Sequence, residues 1–107
     1  MTYEIHMTPE AKEDLASIFR YIAYTLQSIQ NAAGQLDRLE KAIASLNQMP
    51  ERFRIYEKEP WRSRNLRIMT VGHYLVFYIP NHDEGKVTIL RVLYGGRDID
   101  RQLEELE

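Results

Sequence analysis

The sequence predicts an α+β fold: a small, twisted, mainly antiparallel four-stranded sheet packed on an N-terminal helical hairpin, closed by a short C-terminal helix. Three observations predict it. Tyr3–Thr8 alternates apolar and polar residues. Two stripes of apolar residues at spacings of 3 and 4 then run to Met49. Between Arg64 and Tyr94 come segments rich in β-branched and aromatic residues. Alternation is the mark of a half-buried strand, and the 3-and-4 spacing that of an amphipathic helix.

Each element has its own cause. Thr8-Pro9-Glu10 starts the first helix, because threonine caps, proline suits the first helical position, and Glu10, Glu13 and Asp14 complement the helix dipole. Ala11, Leu15, Ile18, Phe19, Ile22 and Leu26 form its apolar stripe over residues 9–27. Ile29, Ala32, Ala33, Leu36, Leu39, Ile43 and Leu46 form the next, so with hardly any connector the two helices pack antiparallel. Residues 50–63 have no period and contain Pro50 and Pro60, which predicts a loop. Arg64–Val71 alternates as a strand, and Gly72 marks a tight turn. Tyr74–Ile79 is a strand, 80–85 is rich in turn formers, and Val87–Tyr94 reads as an interior strand covered on both faces. Gly95-Gly96 ends it, and Asp98–Leu106 reads as a short acidic helix. The order is β-α-α-β-β-β-α, and 107 residues suit one domain spanning 1–107.

Composition excludes several function classes. There is no cysteine, which removes disulfide scaffolds, thiolate metal sites and cysteine nucleophiles. The longest apolar run, Tyr74–Ile79, is far below the roughly 20 residues of a membrane helix, and acidic residues in 1–20 argue against a signal peptide, so a soluble cytoplasmic protein is expected. His6, His73 and His82 lie at no ligand spacing, and no glycine-rich phosphate loop or nucleophile elbow occurs; no metal or cofactor is expected.

Charge is more informative than its total. The net −2 combines a segment, 50–67, with six basic residues (Arg52, Arg54, Lys58, Arg62, Arg64, Arg67) against three acidic ones, hence +3, and a remainder of −5. That segment also holds Phe53, Tyr56 and Trp61, aromatics able to stack or anchor a partner. A solvated loop whose arginines pair with neighbouring glutamates accounts for it equally well. Alternation puts Arg91 on one strand face with Val87, Ile89 and Leu93, where a guanidinium needs an open groove or a partner, the candidates being Asp98, Asp100 and a carboxylate of another chain. Arg97 follows just after. Tyr74 and Tyr78 share a face, and Tyr94 ends the next strand; such tyrosines are mostly core or rim residues.

Val71-Gly72-His73-Tyr74-Leu75-Val76-Phe77-Tyr78 and Ile89-Leu90-Arg91-Val92-Leu93-Tyr94-Gly95-Gly96-Arg97-Asp98 together resemble the C-terminal part of RelE/ParE toxins of type II toxin–antitoxin systems. The opening strand and Thr8-Pro9-Glu10-Ala11 fit as well, so the resemblance spans nearly the whole chain. It implies a toxin wrapped and neutralised by an acidic antitoxin in a heteromeric complex. RelE-like members cleave messenger RNA on the ribosome without metal, and ParE-like members poison DNA gyrase.

The RelE pattern implies basic residues on the second strand, an arginine on the third, another after the fourth, and often a tyrosine in the last helix. Arg67 and Arg97 match the first and third of these. Tyr74 stands at the third-strand position, and Leu103, or Gln102 one residue earlier, at the late one. The ending Arg91-Val92-Leu93-Tyr94-Gly95-Gly96-Arg97-Asp98 is closer to ParE-like chains, which implies gyrase inhibition by binding rather than bond-making. The alternatives are a ribosome-dependent endoribonuclease using Arg67, Arg97, His73 and Tyr74, and a toxin fold that only binds. The residues expected to meet a target or antitoxin are Arg52, Arg54, Arg62, Arg64, Arg67, Arg91, Arg97, Trp61 and Tyr94.

Overall fold

The computed structural model describes residues 2–96 and 99–104. The elements are β1 (Glu4–Met7), α1 (Pro9–Arg20), a π-helical turn (Tyr21–Thr25), α2 (Ile29–Ala44), β2 (Arg54–Ile55), β3 (Arg67–Val71), β4 (Tyr74–Asn81), β5 (Lys86–Tyr94) and α3 (Ile99–Glu104). Thr8 caps α1 as its position predicts: its hydroxyl accepts from the Ala11 amide at 3.0 Å and donates to the Leu90 carbonyl at 2.9 Å. One side chain therefore starts the helix and ties it to the sheet. Ser28 caps α2 through the Asn31 amide.

The sheet is mixed and five-stranded, in the order β1-β5-β4-β3-β2. β1 runs parallel to β5, from Glu4↔Lys86 to Met7↔Ile89, and the other pairs are antiparallel. The expected four-stranded sheet gains β2 within the segment predicted to be a loop: Arg54 and Ile55 pair with Ile68 and Arg67. Two residues are too few to show alternation. β4 also outlasts its predicted end and carries Pro80, opposite Val87. β3 pairs no further than Tyr78, so this stretch of β4 has an open side, where a proline is tolerated.

Both sheet faces are covered, as the unbroken apolar pattern of β5 predicts. On one face Leu15, Leu39, Ile43 and Leu46 pack against Met69, Val76, Tyr78, Val87, Ile89 and Val92. On the other, Trp61, Leu66 and Leu103 cover Ile68, Phe77 and Leu93. Burying a side chain of this size stabilises the fold by about 1.5–3 kcal/mol. Leu103 thereby holds α3 down. Asp100 reinforces it by accepting from the Tyr56 hydroxyl and the Lys58 ammonium, and these two contacts, Lys58 first, hold its carboxyl below the usual range.

A bulge interrupts the β4–β5 ladder: Phe77 faces Arg91 while Tyr78 faces Ile89, so Leu90 is the extra residue. This splits the face predicted to hold Val87, Ile89, Arg91 and Leu93. Val87, Ile89 and Val92 point to the helices, and Leu90 and Leu93 to the other side.

The tip of the hairpin departs from its stripe too. The amide of Leu26 donates to the Tyr21 carbonyl at 3.1 Å, five residues back, which widens the turn and rotates the residues beyond it. Leu26 and Ile29, predicted to be core, are 57% and 67% exposed, beside exposed Tyr21 and Tyr24.

Candidate functional site

Between α1, α2 and the end of β5 lies an open groove of about 760 Å³. Its apolar wall comes from Ile18, Ile22, Leu26 and Val92. Asn31, Gln35 and Arg38 line it from α2, at helical positions i, i+4 and i+7 that share a face. Opposite them stand Tyr21 from the π-helical turn, His73 from the β3–β4 turn, Tyr74 at the start of β4, and Arg91 and Tyr94 from β5. The turn places these residues through Gly72, whose φ of +60° costs glycine nothing, and through the Gly95 amide, which donates to the His73 carbonyl at 2.8 Å.

The floor of the groove is a two-point ion pair. Arg91 Nε and Nη2 donate to Asp14 Oδ2 and Oδ1 at 2.7 and 2.9 Å. The Val92 amide donates to the same Oδ2 at 2.9 Å. β1 ends at Met7, so β5 has no strand on that side from here on, and the Asp14 carboxylate takes up an edge amide that would otherwise lack a partner. Asp14 thus corrects two expectations. It is the partner of Arg91 in place of Asp98 or Asp100, and it serves the sheet edge rather than the dipole of its own helix. Asp100 is engaged by Lys58 and Tyr56, while Asp98 and Arg97 lie outside the described residues.

The tyrosines form the opposite wall. Tyr74 and Tyr94 meet edge to face, with centroids 5.8 Å apart, and His73 lies 6.4 Å from Tyr94. Burial holds the Tyr74 phenol above its ordinary range, and the nearby phenols of Tyr94 and Tyr21 add to this. A phenol shifted upward is a hydrogen-bond donor at neutral pH, not a base. Among the described residues, the hydroxyls of Tyr21, Tyr74 and Tyr94 make no hydrogen bond, and Arg38 engages only Gln35, at 2.9 Å.

None of the basic segment 50–67 lines this groove. Arg52 closes the end of the helical hairpin, donating to the carbonyls of Ser45, Gln48 and Met49 and lying over the Phe53 ring at 4.7 Å. Arg67 donates to the carbonyls of Glu51 and Phe53 at 2.9 and 2.8 Å and sits 3.7 Å from the Glu51 carboxylate, so it clamps the approach to β2. Trp61, expected at a binding surface, is 5% exposed and belongs to the second core, with Arg64 stacked over its ring at 4.9 Å. Arg62 stands 4.0 Å from Glu57, and Arg54 is exposed on β2. Of the expected binding residues, the structure brings Arg91 and Tyr94 into the groove, with His73 and Tyr74 from the expected nuclease set. Sequence reasoning misses Tyr21, Asn31, Gln35 and Arg38. Their only signal in the sequence is a tyrosine and three polar residues beside apolar stripes, which many solvated helices show.

Among the described residues no group of three or more His, Asp or Glu side chains is placed to hold a metal ion, and no helix is long and apolar enough to cross a membrane.

Among curated proteins, none matches the sequence. Among solved structures, the chain is similar to the chromosomal ParDE toxin–antitoxin system of P. aeruginosa, with a TM-score of 0.70, 17% identity, and coverage of 87% of this chain and 96% of that one. It is similar to the RelBE2 toxin–antitoxin complex of Mycobacterium tuberculosis, with a TM-score of 0.62, 21% identity, and coverage of 88% and 99%. It is also similar to the isolated E. coli RelE toxin, with a TM-score of 0.58, 13% identity, and coverage of 98% and 99%. These likenesses show the fold alone, which is that of the RelE/ParE toxins. Residues 5–99 match the model of the ParE toxin of the type II toxin–antitoxin system parDE, and on that match the chain belongs to the ParE toxin family.

Proposed function

We propose that this protein arrests growth by binding DNA gyrase and stalling it after DNA cleavage, and that an acidic antitoxin neutralises it. The family supports the toxin role. The observation that carries the choice of target is the placement of Arg67. A metal-free ribonuclease needs cations free to meet the phosphate that the 2′-hydroxyl attacks. Arg67 Nη1 instead donates to the carbonyls of Glu51 and Phe53, Nη2 stands 3.7 Å from the Glu51 carboxylate, and the side chain is only 17% exposed. Tyr74, one of the two residues expected to carry protons in a nuclease, is shifted away from base strength. Binding needs neither group.

Purified gyrase tests this directly. The expected result is loss of supercoiling and accumulation of a trapped cleavage complex on gels as the protein is added. Unchanged supercoiling, together with transcripts cut inside translated codons after induction, would establish the ribosome-dependent nuclease instead.

A further inference from the structure

The tip of the helical hairpin is free of charge. Sixteen consecutive residues, Tyr21–Leu36, carry none, in a chain where 28% of residues are charged. The one stretch of similar length, Ile68–His82, builds β3 and β4 and supplies the buried Ile68, Met69, Val76, Phe77 and Tyr78. The tip is the opposite case, uncharged and outside. Tyr21, Tyr24, Leu26 and Ile29 are 54–70% exposed, and they are four of the six large apolar side chains exposed among the described residues.

The local backbone keeps them there. The π-helical turn carries the residues beyond Tyr21 off the buried stripe. Gln27 then takes φ +56°, a left-handed conformation that is costly for a residue with a Cβ, and α2 starts two residues later at Ile29. An unusual turn and an apolar surface in water both weigh on the monomer, and a partner that covers the patch offsets them.

Two features select the occupant. In a two-fold contact the residues near the axis meet their own copies, so a charge there faces its like, and Tyr21–Leu36 has none to face. The polar side chains are self-complementary as well. Hydroxyls and amides such as those of Tyr24, Thr25, Gln27 and Gln30 each carry both a donor and an acceptor, so each can pair with its own image. Among the described residues, these four side chains have no hydrogen-bond partner within the chain.

We propose that the hairpin tip is a self-association surface, on which a second copy of this chain docks across a two-fold axis. Tyr24, Leu26 and Ile29 form its dry centre, and Thr25, Gln27 and Gln30 its polar rim. The exposed apolar side chains offer on the order of 500 Å² per copy, against about 800 Å² on each side of a standard interface. The dimer is therefore weak, with a Kd of roughly 10–100 μM.

Sedimentation equilibrium of the whole protein, from about 1 μM to about 1 mM, brackets that range. The expected result is a reversible monomer–dimer equilibrium that does not weaken as salt rises, because no ion pair contributes. Tyr24→Glu and Tyr24→Lys should each weaken it about tenfold or more, while an equimolar mixture of the two recovers association, since unlike charges then face each other. Met49→Gln, which alters an exposed apolar side chain beyond the far end of α2, should leave it within about twofold. All three variants should melt within about two degrees of the parent, since neither side chain is in the core.

A parent that stays monomeric throughout would overturn the inference. So would a dimer that Tyr24→Glu leaves intact, because the contact would then lie on another face. A mixture of the two charged variants that fails to associate would rule out the two-fold contact. A monomeric parent whose inhibition of gyrase is lost in Tyr24→Glu would assign the tip to the target instead of to a second copy.

Discussion

Asp14 and Arg91 lie 77 residues apart in the chain and meet at two points, with both side chains only 13% exposed. The carboxylate also accepts the Val92 amide, so one side chain joins the first helix to the open edge of a central strand. Removing one member of such a pair leaves a charge in a poor dielectric, at a cost of about 3–5 kcal/mol. Asp14→Asn should therefore lower the urea midpoint substantially. Replacing both residues together, Asp14→Leu with Arg91→Met, should cost less than Asp14→Asn alone. A double variant weaker than the single one would show that the edge amide, not the ion pair, dominates.

Tyr78 is fully buried and donates to the Pro50 carbonyl at 2.6 Å; burial pushes its phenol up to about 12. The folded state thus holds this proton more tightly than the unfolded chain, whose tyrosine titrates near 10. The contribution is complete below pH 10 and is lost as pH rises toward 12. Alkaline unfolding curves should fall steeply across that window, and Tyr78→Phe should be less stable at neutral pH yet flatter above pH 10. Parallel curves would contradict the assignment.

Asp100 makes a different pH prediction. Its carboxyl is held below the ordinary range by Lys58 and Tyr56, so its hold on α3 is present above the unfolded carboxylate value and fades as pH falls through the folded one. Amide exchange across residues 99–104 should quicken on acidification, and Asp100→Asn should exchange at the faster rate already at neutral pH. Leu103 keeps the helix docked in either case, so the amides of β4 and β5 should not change.

Arg67 separates the two candidate targets. Arg67→Gln leaves two carbonyls without their donor and should cost about 1–3 kcal/mol by thermal melting. Below that variant's melting temperature, inhibition of gyrase should persist. Loss of inhibition with the fold intact would put Arg67 at the target surface.

The sequence foretold what repeats and missed what happens once. Thr8, Pro9 and the apolar stripes placed the hairpin, and the apolar run of β5 correctly announced a strand covered on both faces. Single events escaped. β2 has two residues, and no period can be read from two. The bulge at Leu90 put Leu93 on the face opposite Val87 and Ile89, and nothing in Ile89–Val92 signals a bulge. Asp14 looked like one more acid in the first turns of a helix, because a long-range partner leaves no mark near its own position. The groove was only partly visible for the same reason: Arg38 and Tyr74 are far apart in sequence, and the hairpin and β3–β4 turn bring them together. The basic segment was plain in the composition, but composition does not say that Arg52 and Arg67 face their own backbone.

The parallel pairing of β1 with β5 also orders events in time. Among the described residues, the first strand of the chain finds its one strand neighbour between Lys86 and Ile89, some eighty residues later. Until the ribosome has released that stretch, the hairpin has Met69, Val76 and Tyr78 to close against but lacks Val87, Ile89 and Val92. Contacts so distant in sequence form late and slowly. The groove, lined by Arg91, Val92 and Tyr94, is then among the last parts of the molecule to form, so translation halted before Lys86 leaves it incomplete.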